Sequence, residues 1–156
     1  MSFMKPMDGQ PVSPEARILR LPRPPPDFVP EGWEPTWQQL NPSSEDEEHA
    51  RKRDGPVRVS VWDDALTTIE QARSFRHGPT LVLRLTVQDV HDIAQAKKRA
   101  LGVVYEPLDP PDDARLGAAG HAGIEGLKRS PGEAKLAWRT VLNDLAGRAK
   151  LVLDSP

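Results

Sequence analysis

ILRLPRPPPDFVPEGWEPTWQQL, from Ile18 to Leu40, is the stretch on which the extent of the folded unit turns. Prolines at 22, 24, 25, 26, 30 and 35 remove backbone donors and hold the chain near polyproline II geometry. The stretch is therefore expected to form neither a helix nor a central strand. Yet it carries Ile18, Leu19, Leu21, Phe28, Val29, Trp33, Trp37 and Leu40, large apolar groups that an extended segment cannot bury against itself. Trp33 and Trp37, four apart, suit one short helical turn with both indoles on one side. Two readings follow. The segment wraps its own domain and adds cover to a small core. Alternatively it is a recognition segment that orders on binding a protein partner, with Phe28, Trp33, Trp37 and Leu40 as anchors.

Outward from that stretch the composition shifts. Eleven of the 17 prolines lie in the first 56 residues, and SSEDEEHARKRDG, at 43–55, puts an acidic block before a basic one. Serine caps and spacing-four ion pairs make this a solvated, partly helical linker. The expected division is an irregular or disordered Pro-rich arm and charged linker over 1–55, then a compact domain over 56–156. A cut near Asp54 or Gly55 is expected to leave that domain folded.

The domain opens with VRVSVWDD, where Val57, Val59 and Val61 alternate with Arg58, Ser60 and Trp62 as in a half-buried strand. Thr67 with Glu70 reads as a capping box for a short helix ended by the HGP at 77–79. Leu81, Leu83 and Leu85 mark a second strand, and Thr86 caps a helix with Val90, Ile93, Ala94 and Leu101 inward, closed by Gly102. Val103 to Tyr105 is a third strand. Ser130, Pro131 and Glu133 read as the start of a last helix with Ala134, Trp138, Val141, Leu142, Leu145 and Ala149 buried. Residues 150–153 are a final strand or a helix tail. The fold class is α/β or α+β, a small single-sheet sandwich of about four strands and three helices, with parallel pairing plausible where helices join strands.

Charge and composition exclude several function classes. The chain carries 21 basic and 23 acidic residues, and from Val57 onward 14 basic stand against 13 acidic, which leaves no electrostatic footprint for nucleic acid or an anionic membrane. The absence of cysteine removes thiolate zinc sites, disulfides and cysteine nucleophiles. No apolar run spans a bilayer and the first ten residues lack a signal-peptide pattern, so a soluble cytoplasmic protein is expected. No HExxH, HxxxH or GxSxG pattern occurs, and neither a metal nor a cofactor is expected.

One stretch suggests chemistry: GAAGHAGIEG, Gly117 to Gly126. Gly117, Gly120, Gly123 and Gly126 would let the backbone approach a ligand, and successive free amides can hold an oxyanion. His121 would serve as general acid or base, oriented by Glu125 or another carboxylate. The competing reading is a glycine loop, or a strand from His121 to Leu127, with no chemistry. Asp63 and Asp64 read as turn or cap residues rather than cation ligands. Two functions therefore stand: an interaction or adaptor protein that docks on a partner through its Pro/Trp arm, or a small hydrolase or transferase, a nuclease or nucleotide enzyme, acting on a phosphate-bearing substrate at the His121 loop.

Overall fold

The computed structural model describes residues 5–22, 32–76 and 81–152, and it places strand β1, Arg17–Arg20, in the interior of a six-stranded sheet. Next along the chain come α1 (Ser44–Arg53), β2 (Arg58–Asp63), α2 (Ile69–Ser74), β3 (Leu83–Thr86), α3 (Val87–Lys97), β4 (Gly102–Tyr105), β5 (His121–Glu125), α4 (Lys135–Ala146) and β6 (Lys150–Leu151). The strand order is β4-β5-β2-β1-β3-β6, and every pairing is antiparallel. The fold is α+β, a single antiparallel sheet with four helices. Among the described residues it has six strands where the sequence suggested about four, and none of them pairs in parallel.

The extra strands have physical causes. Ile18 stands opposite both Asp63 and Leu85, and Leu19 opposite both Trp62 and Arg84. Ile18, Leu19 and Leu21 are fully buried. A strand covered on both faces reads as a continuous apolar run without alternation, and the next proline, Pro22, comes only after its last residue. Arg20 sits buried at its end because Nε donates to Gln39 O at 3.0 Å and Nη1 to Ser60 O at 2.9 Å. The expectation that Ile18–Leu40 forms no central strand is thus corrected at its first residues. The second extra strand, β5, takes up the glycine-rich stretch, and the charged linker supplies the additional helix, α1, capped by Ser43 with Asp46.

One face of the sheet presents Ile18, Val59, Val61, Leu85, Val103, Ala122 and Ile124 to Val90 and Ile93 of α3 and to Trp138, Leu142 and Leu145 of α4. The other face presents Leu19, Leu21 and Trp62 to Ala72 of α2 and to Phe75 at its end, with the Trp62 and Phe75 rings stacked at 4.7 Å. The β4 edge is closed by the chain's own residues 9–12: Gly9 N donates to Tyr105 O, Tyr105 N to Gln10 O and Val12 N to Val103 O, at 2.9 to 3.0 Å. At the other edge β6 is two residues long, and short edges with a lysine resist unwanted pairing.

Three cap assignments shift. Thr68 with Gln71, not Thr67 with Glu70, caps α2, because the Thr67 hydroxyl donates to Gly117 O at 2.6 Å. Lys98, in the left-handed region at φ 52°, ends α3, and Gly102 begins β4. Ser130 to Glu133 is a turn ahead of α4, whose cap is Ala134, since Glu133 is drawn onto Arg99. Among the described residues no helix is long and apolar enough to cross a membrane.

Candidate functional site

His121 opens β5 opposite Trp62, and its ring is 6 % exposed. The Glu106 carbonyl oxygen lies 2.7 Å from Nδ1 and can only accept, so Nδ1–H donates; Nε2 then accepts from the Ser60 hydroxyl at 2.8 Å. Trp62 stands edge-on at 4.7 Å between ring centres. Burial lowers the imidazole to about 4, against the smaller raising effect of the Glu106 carbonyl. The ring is neutral near pH 7 and buried, with both nitrogens engaged inside the fold.

The glycines serve close packing. A Cβ on Gly120 would fall 2.0 Å from Thr67 Oγ1, and one on Gly126 would fall 2.0 Å from Ala100 O. Gly123 lies within β5, paired with Ser60 on one side and Val104 on the other, under the Arg58 side chain. Gly117 takes φ 84°, in contact with Gln71 and Thr67. These glycines let β5, the α2 entry and the β4 entry approach one another, and the Gly120 amide donates to Gly117 O.

Glu125 is not beside His121. It binds Arg58 Nε at 2.9 Å, in a cluster where Arg58 also meets Asp8 at 2.7 Å and Glu106 at 3.6 Å, and Arg53 meets Glu106 at 3.2 Å. Burial pushes the Glu106 carboxyl up, against the pull of Arg53 and Arg58. Three carboxylates and two guanidiniums pair with one another here, a structural network that the sequence reading missed because its members lie on five separate segments. Asp63 behaves as a turn residue: Oδ1 accepts from Ala65 N at 3.0 Å, and Oδ2 takes the Tyr105 hydroxyl at 2.5 Å. Asp64 pairs with Arg17 and Arg84. Among the described residues no group of three or more His, Cys, Asp or Glu is arranged to hold a metal.

The expected partner anchors divide. Phe28 lies outside the described residues. Leu40 is fully enclosed in the core, which removes it from any docking surface. Trp33 and Trp37 are half-buried. Thr36 caps a single 3-10 turn, Trp37–Gln39, which lays Trp37 against α4. Its ring meets Trp138 edge-on at 5.6 Å, the Arg139 guanidinium lies 4.4 Å over it, and its backbone N–H donates to Asn143 Oδ1 at 2.8 Å.

On the other flank of α4 a surface cleft of about 370 Å3 is lined by Lys97, Lys98, Arg99, Glu133, Ala137, Thr140 and Val141. Lys97 pairs with Asp144 at 2.6 Å, and Arg99 pairs with Glu133 while also donating to Gly126 O and Lys128 O. Lys98 is exposed and forms no ion pair among the described residues. Between this cleft and Trp37, Leu136 is 79 % exposed on the outer side of α4. The Lys-Lys-Arg run at 97–99 was the sequence signal for the cleft, and it reads as a solvated helix end until α4 is set against it. No family model, curated protein or solved structure matches the chain.

Proposed function

We propose that this chain is a protein-interaction module whose docking surface is built jointly by the N-terminal segment and α4. One observation carries the reading: Trp37 is held partly buried against Trp138 and Arg139, on a helix that leaves Leu136 79 % exposed. Tryptophan and arginine are the residues most enriched where binding energy concentrates. Here they are fixed by a backbone hydrogen bond and a cation–π contact, so ordering them on binding costs little entropy. This revises the adaptor reading. The segment is laid across its own fold and contributes a side of the surface, where the sequence suggested an arm reaching out alone. The buried, doubly bonded His121 lends no support to a phosphate-processing enzyme.

The test is site-specific photo-crosslinking in the producing cell. A photoreactive amino acid at position 136 is expected to give a discrete protein adduct, while the same group at Glu70, on the short helix α2, gives none. Absence of an adduct at 136, or equal labelling at both positions, overturns the reading.

A further inference from the structure

We infer that the partner engages this surface with an acidic, apolar-anchored segment whose carboxylates enter the cleft between the C-terminus of α3 and α4; the inference rests on the docking surface proposed above. Three cations and one carboxylate line the cleft. Lys97 and Arg99 are held by Asp144 and Glu133, so they form fixed walls, and Lys98 supplies a charge with no ion-pair partner among the described residues. Lys135, also exposed, and Arg139 extend the positive character along α4.

The backbone at Lys98 points the same way. Its φ of 52° puts it in the left-handed region, at the helix-ending position where glycine is strongly favoured and a side chain is penalised. A lysine there costs stability and forms no ion pair among the described residues to offset it. The attraction of a cation to the end of α3 offsets part of this cost. Ala137 and Val141 add apolar groups to the cleft lining, and Leu136 stands one helical turn before Thr140 at its margin. Apolar side chains beside cationic ones match an amphipathic acidic peptide better than a polyphosphate chain, which offers no apolar group to bury. The chain's net charge of −2 also opposes general attraction of nucleic acid.

The experiment uses the full chain and a fluorescent peptide of alternating glutamate and leucine, read by anisotropy. Binding is expected, weakening as salt rises. Lys98→Glu is expected to weaken it about tenfold and Lys98→Gly about threefold, the scale of one partly exposed ion pair reversed or removed. Lys98→Gly relieves the backbone penalty, so its melting temperature is expected to hold or rise, which separates lost binding from lost folding. Leu136→Ser is expected to weaken the peptide further, and a matched lysine-leucine peptide is expected not to bind. Failure of the acidic peptide to bind, or Lys98 variants that bind it like the wild type, overturns the inference. So does preferential binding of a single-stranded oligonucleotide or of tripolyphosphate at these residues. A photo-adduct at position 136 that forms equally in Lys98→Glu leaves the docking surface standing and removes the acidic partner alone, whereas loss of the adduct in the wild type removes both.

Discussion

Strand β2 sends Val59 and Val61 to one side of the sheet and Arg58, Ser60 and Trp62 to the other, and the two sides are held together by different physics. Toward α3 and α4 the contacts are almost wholly apolar, and their strength follows buried area. Toward α1 and α2, Trp62 and Phe75 share the space with a histidine, a serine and the Arg58 cluster, whose charges are paired. The apolar side tolerates exchange of one aliphatic group for another of similar volume. The polar side depends on every partner being present, because an abandoned buried donor or charge is costly. Stability comes mainly from the first, and sensitivity to pH from the second.

The severest way to break this contrast is to remove the strand that serves both sides. Deletion of residues 1–55 takes away β1, with Ile18 and Leu19 on opposite faces, and leaves β2 and β3 without their shared neighbour. Loss of cooperative thermal unfolding is expected, the reverse of the outcome anticipated from composition; a truncated protein with an intact transition would show that β1 is dispensable. On the apolar side alone, Leu142→Ala opens a cavity at a fully buried position and is expected to cost about 2–5 kcal/mol, constant across pH 5 to 8, as measured by denaturant unfolding.

The smallest effect belongs to the polar side and is visible only as a slope. His121 has an imidazole lowered to about 4 in the fold against an ordinary 6.5, so between these values the unfolded chain binds the proton and the native one does not. The stabilisation is complete above pH 6.5 and is lost as pH falls toward 4, by at most about 3 kcal/mol. Glu106, raised by burial, works in the opposite direction, since its protonated form favours the fold as pH falls, and it reduces the net slope. His121→Gln, which cannot titrate, is expected to flatten the acid side of the stability profile while leaving the Leu142→Ala penalty unchanged. An identical slope in the variant would assign the acid sensitivity elsewhere.

How legible these features were depended on range. The alternation in β2, the Thr86 cap of α3 and the buried stripe of α4 are set by neighbours within a few residues, and each was readable. β1 was not, because a doubly covered strand loses the alternation that identifies strands, and the following prolines suggested an irregular segment throughout. The glycines at 117–126 were visible but misleading as a candidate site. Their cause is steric, the approach of Thr67, Arg58 and Ala100, and those neighbours come from other segments. The Lys98 cleft was hidden for the same reason, since its two walls meet only after α3 and α4 pack.

The interior position of β1 also sets an order in time. Strand β1 leaves the ribosome well before it can be satisfied, since its two neighbours are made after it and the hydrogen bond from Trp37 to Asn143 joins residues 106 apart in sequence. Few native contacts can form early, and closing such long loops before any reward slows the search. During synthesis the Ile18–Leu21 run stays uncovered while most of the chain is still to come, which makes it the segment most in need of protection from other chains.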